Sequence, residues 1–167
     1  MKLWTWKEEN LPSVAHAVRT AVAATLSVLL ARLVGLPEAY WAVIATLVVM
    51  QSPLGSTVPL AVQRIVASAL GASLGAVESA YFRANLVAFA LIMFLLGLIS
   101  MAFRLEKVGY SYAGMTLAII VLIPRPEAPW IAALHRFAEV SLGILVALAV
   151  VGAWREQQRL FGDAKAE

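Results

Sequence analysis

Two arginines stand inside long apolar runs of this sequence, Arg64 in the third run and Arg136 in the sixth. A charged side chain in the hydrocarbon of a membrane is costly unless it is hydrated or paired, so such residues usually face the interior of a helix bundle or an aqueous cavity. A guanidinium also presents several N–H donors that suit a carboxylate. The two arginines are therefore predicted to attract an organic anion. The alternative is that each side chain only reaches the nearer membrane surface, without a role in binding.

Other charged residues accompany these two. Glu139 follows Arg136 by three positions and so shares its helix face, which favours neutralisation of Arg136 over a proton relay. His135 begins the same run and is expected at the membrane surface rather than in proton coupling. Arg19 is a third candidate for anion binding, although its side chain is close enough to one end of its run to reach the surface. Glu78 lies near the end of its run and is expected to be solvated.

The composition indicates an all-α integral membrane protein. Hydrophobic residues make up 62% of the 167 residues and charged residues 14%, whereas soluble domains are about half apolar and a quarter charged. The absence of cysteine excludes disulfides and thiolate metal sites, and two isolated histidines make another metal site improbable. No zinc-protease, nucleophile-elbow or phosphate-loop motif is present, so we expect neither an enzyme nor a cofactor. The net charge of +3 is attributed to loops rather than to nucleic-acid binding.

Six apolar segments predict six transmembrane helices in one membrane domain, residues 13–154. Residues 1–12 contain Trp4 and Trp6 beside lysine and are expected to lie at the level of the lipid headgroups. Residues 155–167 are expected to form a short polar tail in the cytoplasm. The predicted helices span about 13–34, 40–50, 59–81, 86–103, 108–123 and 129–154.

The second segment is short for a membrane crossing. It covers only residues 40–50 and ends in the polar and helix-breaking sequence QSPLGST. Such a segment is typical of re-entrant or broken elements in transporters. An ordinary span that begins one turn earlier is an equally good interpretation.

The sequence also suggests an internal repeat with an offset of 72 residues and halves of about 13–82 and 83–154. The matched pairs are Arg64 with Arg136, Gly71 with Gly143, Tyr40 with Tyr112 and Arg32 with Arg104. Because three helices are an odd number, the second half would enter the membrane from the opposite side, which gives a 3+3 inverted repeat. The two arginines would then approach the midplane from opposite leaflets. Gly71 and Gly75 form a small-xxx-small face, and these two glycines and Gly143 are expected to pack against other helices.

The distribution of lysine and arginine predicts the orientation. With the amino terminus inside, the inner segments hold seven of these residues and the outer loops three, while Arg19, Arg64 and Arg136 lie within spans. Positive residues are enriched in cytoplasmic loops, so both termini are expected in the cytoplasm.

Two stretches resemble a known family of membrane proteins. The run HAVRTAVAATLSVLLARLVGLPEAYWAVIATLVVMQSPLGST and the run QRIVASALGASLGAV that follows are similar to the opening of the fusaric-acid-resistance-like (FUSC) and aromatic acid exporter families. The family pattern has an arginine, then a Gly-Thr pair and then a glycine. Arg64 and Gly71 match it, Ser68 stands for the threonine, and Ala67 replaces the first glycine. The run HRFAEVSLG around Arg136 is also similar, so the resemblance covers about residues 16–154.

The resemblance implies export of aromatic or other organic acids across the bacterial inner membrane by a homodimer or larger homo-oligomer, with the proton gradient as the candidate driving force. Relatedness to plant malate channels keeps a passive anion channel as an alternative. A membrane scaffold or subunit, in which the arginines only anchor helices, is the alternative from another functional class. Many family members carry a large cytoplasmic domain or a second membrane half, neither of which is expected in this sequence.

Overall fold

The computed structural model describes residues 14–51, 57–83, 85–124 and 126–163, with side chains for 14–51, 58–83, 85–124 and 126–154. The described residues form six α-helices: α1 (Val14–Leu33), α2 (Tyr40–Met50), α3 (Thr57–Tyr81), α4 (Leu86–Ala102), α5 (Lys107–Leu122) and α6 (Pro129–Asp163). The all-α fold and the positions of the six helices are therefore confirmed. The predicted surface segment, residues 1–12, lies outside the described residues.

Local signals set the helix ends. Gly35 has a φ of +78°, and the amide of Leu36 donates back to the carbonyl of Ala31, so α1 ends in a left-handed turn that glycine adopts without steric cost. The side chain of Asn85 caps α4 by accepting from the amides of Val87 (2.9 Å) and Ala88 (3.2 Å).

The sixth helix is longer than predicted. It continues to Asp163 instead of ending near Trp154. The sequence beyond Trp154, REQQRLFGD, is polar but consists largely of good helix formers. Loss of hydrophobicity therefore marks the end of the apolar part of α6 and not the end of the helix.

Within the described part of the chain, three helices are long and apolar enough to cross a membrane: Val14–Leu33, Val58–Tyr81 and Pro129–Trp154. The other three have 11, 17 and 16 residues, fewer than the roughly 20 residues that a straight crossing needs. The helix α2 rises by only about 16 Å. Six complete crossings, and the re-entrant interpretation of α2, thus stay predictions.

The helices α3 and α6 pack on each other at the centre of the bundle, and each also packs closely on one other helix. The partner of α3 is α5, and the partner of α6 is α2. The helix α1 lies against α2 and α6, while α4 lies against α5 and α3. The pattern of neighbours is unchanged when α1, α2 and α3 are exchanged for α4, α5 and α6.

Glycines allow the closest approaches. A Cβ atom added to Gly71 would collide with the backbone carbonyl of Ala113 on α5, and one added to Gly143 would collide with the carbonyl of Ala42 on α2. Gly75 is less restricted, because its added Cβ would lie 3.1 Å from the side chain of Ile120. Small residues thus allow the backbone of α3 to contact that of α5, and the backbone of α6 to contact that of α2.

A buried polar contact ties α1, α2 and α6 together beside Gly143. The hydroxyl of Thr46 lies 2.8 Å from the carbonyl oxygen of Gly143, and the hydroxyls of Ser27 and Thr46 are in contact. Ser27 also donates to the carbonyl of Ala23. Hydroxyl groups that are satisfied in this way add directional contacts to an apolar interface.

Candidate functional site

Arg64 is the eighth residue of α3 and is almost fully buried, with 6% of its surface exposed. Its guanidinium carbon lies 3.8 Å from the centre of the Tyr112 ring on α5. Its Nη1 group is 3.5 Å from the carbonyl oxygen of Ala45 on α2, which is a long hydrogen bond at best. The aromatic face replaces part of the water that the charge loses on burial, and a desolvated cation–π contact of this kind can contribute about 2 kcal/mol.

Arg136 is the eighth residue of α6 and is also buried, with 3% exposed. Its guanidinium carbon lies 3.1 Å from the centre of the Trp41 ring on α2. Its Nη1 is 3.9 Å from Oε2 of Glu139, which is itself 1% exposed. Arg136 therefore has both an aromatic face and a carboxylate to offset its charge.

Glu139 also fixes the turn before α2. Its Oε1 accepts the backbone N–H of Glu38 at 2.8 Å, and Oε2 of Glu38 accepts the indole N–H of Trp41 at 2.9 Å. The ring under Arg136 is thus held by the same group of contacts that neutralises the arginine. Such mutually bonded polar groups are worth more together than each would be alone.

Both arginines line one cavity of about 360 Å³ between α2, α3, α5 and α6. Its volume is within the range of small-molecule binding sites, and its lining is mostly apolar with a few polar groups, as such sites usually are. Tyr112 and Trp41 also line the cavity, each beside the arginine that it contacts. Arg136 contacts α2 at Trp41, and Arg64 contacts it at Ala45. These two residues are one turn apart, so the two contact points are separated by about 6 Å along the helix axis.

The twelve residues that line the cavity form six pairs related by a nearly constant sequence offset. Helices α3 and α6 contribute two pairs with an offset of 72, Arg64 with Arg136 and Ser68 with Val140. Helices α2 and α5 contribute four pairs with an offset of 71, which are Trp41 with Tyr112, Ile44 with Met115, Ala45 with Thr116 and Val48 with Ile119. Every lining position of one half of the chain therefore has a lining counterpart in the other half.

This pairing differs from the predicted one at the aromatic position. The sequence pairs Tyr40 with Tyr112, but Tyr40 is 53% exposed, and its neighbour Trp41 packs under Arg136. A single constant offset cannot describe both helices of a half, because Arg64 follows Trp41 by 23 residues and Arg136 follows Tyr112 by 24. Sequence comparison alone gave no signal that separated Tyr40 from Trp41.

The remaining predicted site residues lie outside the cavity. Arg19 is half-buried on α1, where its Nη2 is 3.1 Å from His16. His135 lies at the surface with its Nδ1 3.2 Å from Oε2 of Glu127. Neither lines the cavity that contains Arg64 and Arg136.

The prediction that Glu78 is solvated is wrong, because this side chain has no exposed surface. Glu78 follows Gly71 and Gly75 by seven and three positions and so lies on the same face of α3. Gly71 and Gly75 face α5. The close packing of α3 on α5 covers this face to its end, which the position of Glu78 near the helix terminus does not indicate.

Ser68 is a lining residue that the sequence presented only as a substitute for threonine in a family pattern. It follows Arg64 by one helical turn, is 2% exposed and lines the cavity with it. A small polar residue four positions after a buried arginine is the signal that could have identified it.

A family model and one curated relative match this chain. Residues 24–150 match the family described as fusaric acid resistance protein-like. The chain is 35% identical over 153 residues to the inner membrane protein YeeA of Escherichia coli (strain K12), an alignment that covers 86% of this chain and 42% of the relative. The chain thus spans less than half the length of this curated relative, and no solved structure matches it. The chain belongs to the fusaric acid resistance protein-like family.

Proposed function

We propose that this protein transports organic anions, in particular aromatic carboxylates, across the bacterial inner membrane. The observation that carries the proposal is the shared cavity: two buried guanidinium groups, each on an aromatic ring, line one mostly apolar space of about 360 Å³. A carboxylate would find positive charge there, and the apolar walls would hold a hydrocarbon or aromatic body. The location follows the relative, which is an inner membrane protein.

We further propose that the bundle is a 3+3 inverted repeat with the cavity on its pseudo-twofold axis. The six pairs of lining residues support this arrangement, as does the pattern of helix neighbours that survives exchange of the two halves. Transporters with inverted repeats commonly hold their solute near the membrane midplane at the interface of the repeats. Arg64 would then face the cavity from the cytoplasmic side and Arg136 from the outer side, with both termini in the cytoplasm.

The contacts of the arginines suggest how an anion could move. Each guanidinium is held by an aromatic ring from the other half of the chain, Arg64 by Tyr112 and Arg136 by Trp41. Rocking of one half against the other would therefore shift each arginine relative to its ring and open the cavity alternately to the two sides. A homo-oligomer, which we also propose, would hold the moving halves in the membrane, and its size is measurable by light scattering in detergent.

Transport into proteoliposomes tests the proposal. Purified protein would be reconstituted, and uptake of radiolabelled benzoate measured with and without a pH gradient. Arg64→Ala is expected to abolish uptake. Arg136→Ala is expected to do the same when combined with Glu139→Gln, which avoids leaving a buried carboxylate uncompensated. Arg19→Ala is the matched control, since Arg19 lies off the cavity and its loss is expected to leave uptake unchanged.

The alternatives give different results in the same vesicles. A passive anion channel would carry benzoate current whether or not a proton gradient is imposed. A scaffold would give neither uptake nor current and would tolerate Arg64→Ala and the double substitution. Uptake that persists in both cavity variants, with the folded protein verified by gel filtration, would contradict the proposed role of the arginines.

A further inference from the structure

The lining of the cavity is not symmetric in polarity, although its residues are paired. Two of the six pairs differ in polarity, and in both the polar member lies in the part of the lining formed by α3 and α5. Ser68 on α3 is paired with Val140, and Thr116 on α5 is paired with Ala45. The lining formed by α3 and α5 therefore carries two hydroxyl groups for which α6 and α2 have only apolar counterparts, and that of Thr116 already donates to the carbonyl of Tyr112.

Three described serines, Ser68, Ser100 and Ser141, have a buried hydroxyl without a hydrogen-bond partner, and of these three Ser68 alone lines the cavity. In apolar helices such hydroxyls generally bond to the carbonyl four residues earlier, as Ser27, Ser73, Ser111 and Thr116 do here. Ser68 is 2% exposed, and its Oγ has no hydrogen-bond partner among the described residues. A buried hydroxyl without a hydrogen-bond partner costs free energy. Because the Ser68 hydroxyl bonds to no carbonyl of its own helix and lines a cavity, its position indicates an acceptor within that cavity.

Arg64 supplies a second donor without an acceptor. Its Nε is buried and has no partner among the described residues, and no acidic side chain of the described chain forms an ion pair with it. Arg64 and Ser68 are four residues apart and therefore neighbours on one face of α3. Together they offer a guanidinium N–H and a hydroxyl to the same space.

Arg136 differs from Arg64 in having a carboxylate within ion-pair distance. Arg136 has Glu139 at 3.9 Å and the Trp41 ring at 3.1 Å, and its i+4 neighbour is Val140. An incoming anion at Arg136 would compete with a buried carboxylate on the same helix. The positive potential that is available to a ligand is thus concentrated at Arg64.

We infer that the cavity binds an amphipathic monocarboxylate in one orientation, with its carboxylate on Arg64 and Ser68 and its apolar body directed toward Val140 and the Arg136 end. Ser68 is the specificity-determining residue, since it donates the second hydrogen bond to the carboxylate. Arg136 holds Trp41 and Glu139 in position and does not contact the carboxylate. This inference rests on the proposed function, but it concerns binding alone, and binding is measured without transport.

Equilibrium dialysis of detergent-purified protein with radiolabelled benzoate tests the orientation, and benzamide serves as the neutral probe of similar shape. Hydrogen bonds to charged groups are worth enough that Ser68→Ala is expected to raise the Kd for benzoate by about tenfold or more and to change competition by benzamide far less. Ser68→Thr keeps the hydroxyl and is expected to restore most of the affinity. Ser73→Ala is the matched control, because Ser73 lies on the same helix, is exposed and donates to the carbonyl of Ala69 away from the cavity, so this variant is expected to leave the Kd unchanged.

Several results would overturn the inference: absence of saturable benzoate binding to the wild-type protein, an unchanged Kd in Ser68→Ala, or equal weakening by Ser68→Ala and Ser73→Ala. A folded Ser68→Ala variant is required, and its gel-filtration profile and thermal unfolding verify this. The outcome is separate from that of the transport proposal. Ser68-dependent binding without uptake would refute transport and keep the subsite, whereas uptake with an unchanged Kd in Ser68→Ala would refute the subsite and keep transport.

Discussion

The contacts of Gly71 and Gly143 predict that a single methyl group added at either position lowers the free energy of unfolding. An alanine Cβ at either position would overlap the backbone carbonyl of the neighbouring helix, Ala113 or Ala42, and a carbonyl in a helix cannot turn away as a side chain can. The helices must separate by about 1 Å, and a gap of that size forfeits roughly a quarter to a half of the dispersion attraction between the atoms it separates.

The net magnitude follows from two opposing effects. Overpacking of this kind costs typically about 1–3 kcal/mol, while replacement of glycine by alanine within a helix gains up to about 1 kcal/mol of propensity. Because the collision here is with backbone, the upper part of this cost applies, and we expect Gly71→Ala and Gly143→Ala each to lower the free energy of unfolding by roughly 1–2 kcal/mol. In a chain of this size that corresponds to a decrease in Tm of about 2–8 °C.

Thermal unfolding in detergent, followed by loss of the gel-filtration peak, measures this decrease. Gly152→Ala is the matched control on α6, because a Cβ added at Gly152 would meet nothing within 4 Å. This variant is expected to unfold at or above the wild-type temperature. If Gly71→Ala and Gly143→Ala were as stable as Gly152→Ala, the backbone contacts of α3 with α5 and of α6 with α2 would be refuted.

Two further substitutions test other contacts by the same unfolding measurement. Glu139→Ala leaves Arg136 without its carboxylate and the amide of Glu38 without its acceptor, so a loss of about 3–5 kcal/mol is expected, whereas Glu139→Gln keeps an acceptor and is expected to lose less. Equal losses in the two variants would show that the amide contact is unimportant. Asn85→Ala removes the cap of α4 and is expected to cost about 1 kcal/mol, while Asn85→Asp retains an acceptor and is expected to cost little; a stable Asn85→Ala variant would contradict the capping contact.

The sequence determined the helices and the main charged residues. Apolar runs and the breakers between them located all six helices, and the end of α6 was the main error because polar helix formers extend it to Asp163. Arg64 and Arg136 were identifiable because a charged side chain within an apolar run is costly unless it is hydrated or paired. The pairing of Arg136 with Glu139 follows from their spacing of three residues within one helix.

Which side chains meet across helices depends on how the helices pack against one another. These helices are apolar on most of their circumference, so periodicity does not indicate which face is inside. The rotation of α3 is set instead by the contact of Gly71 with Ala113, and that rotation buries Glu78 and places Ser68 with Arg64 in the cavity. The choice of Trp41 over Tyr40 beneath Arg136 likewise depends on how α2 turns against α6, since two adjacent residues of a helix point about 100° apart.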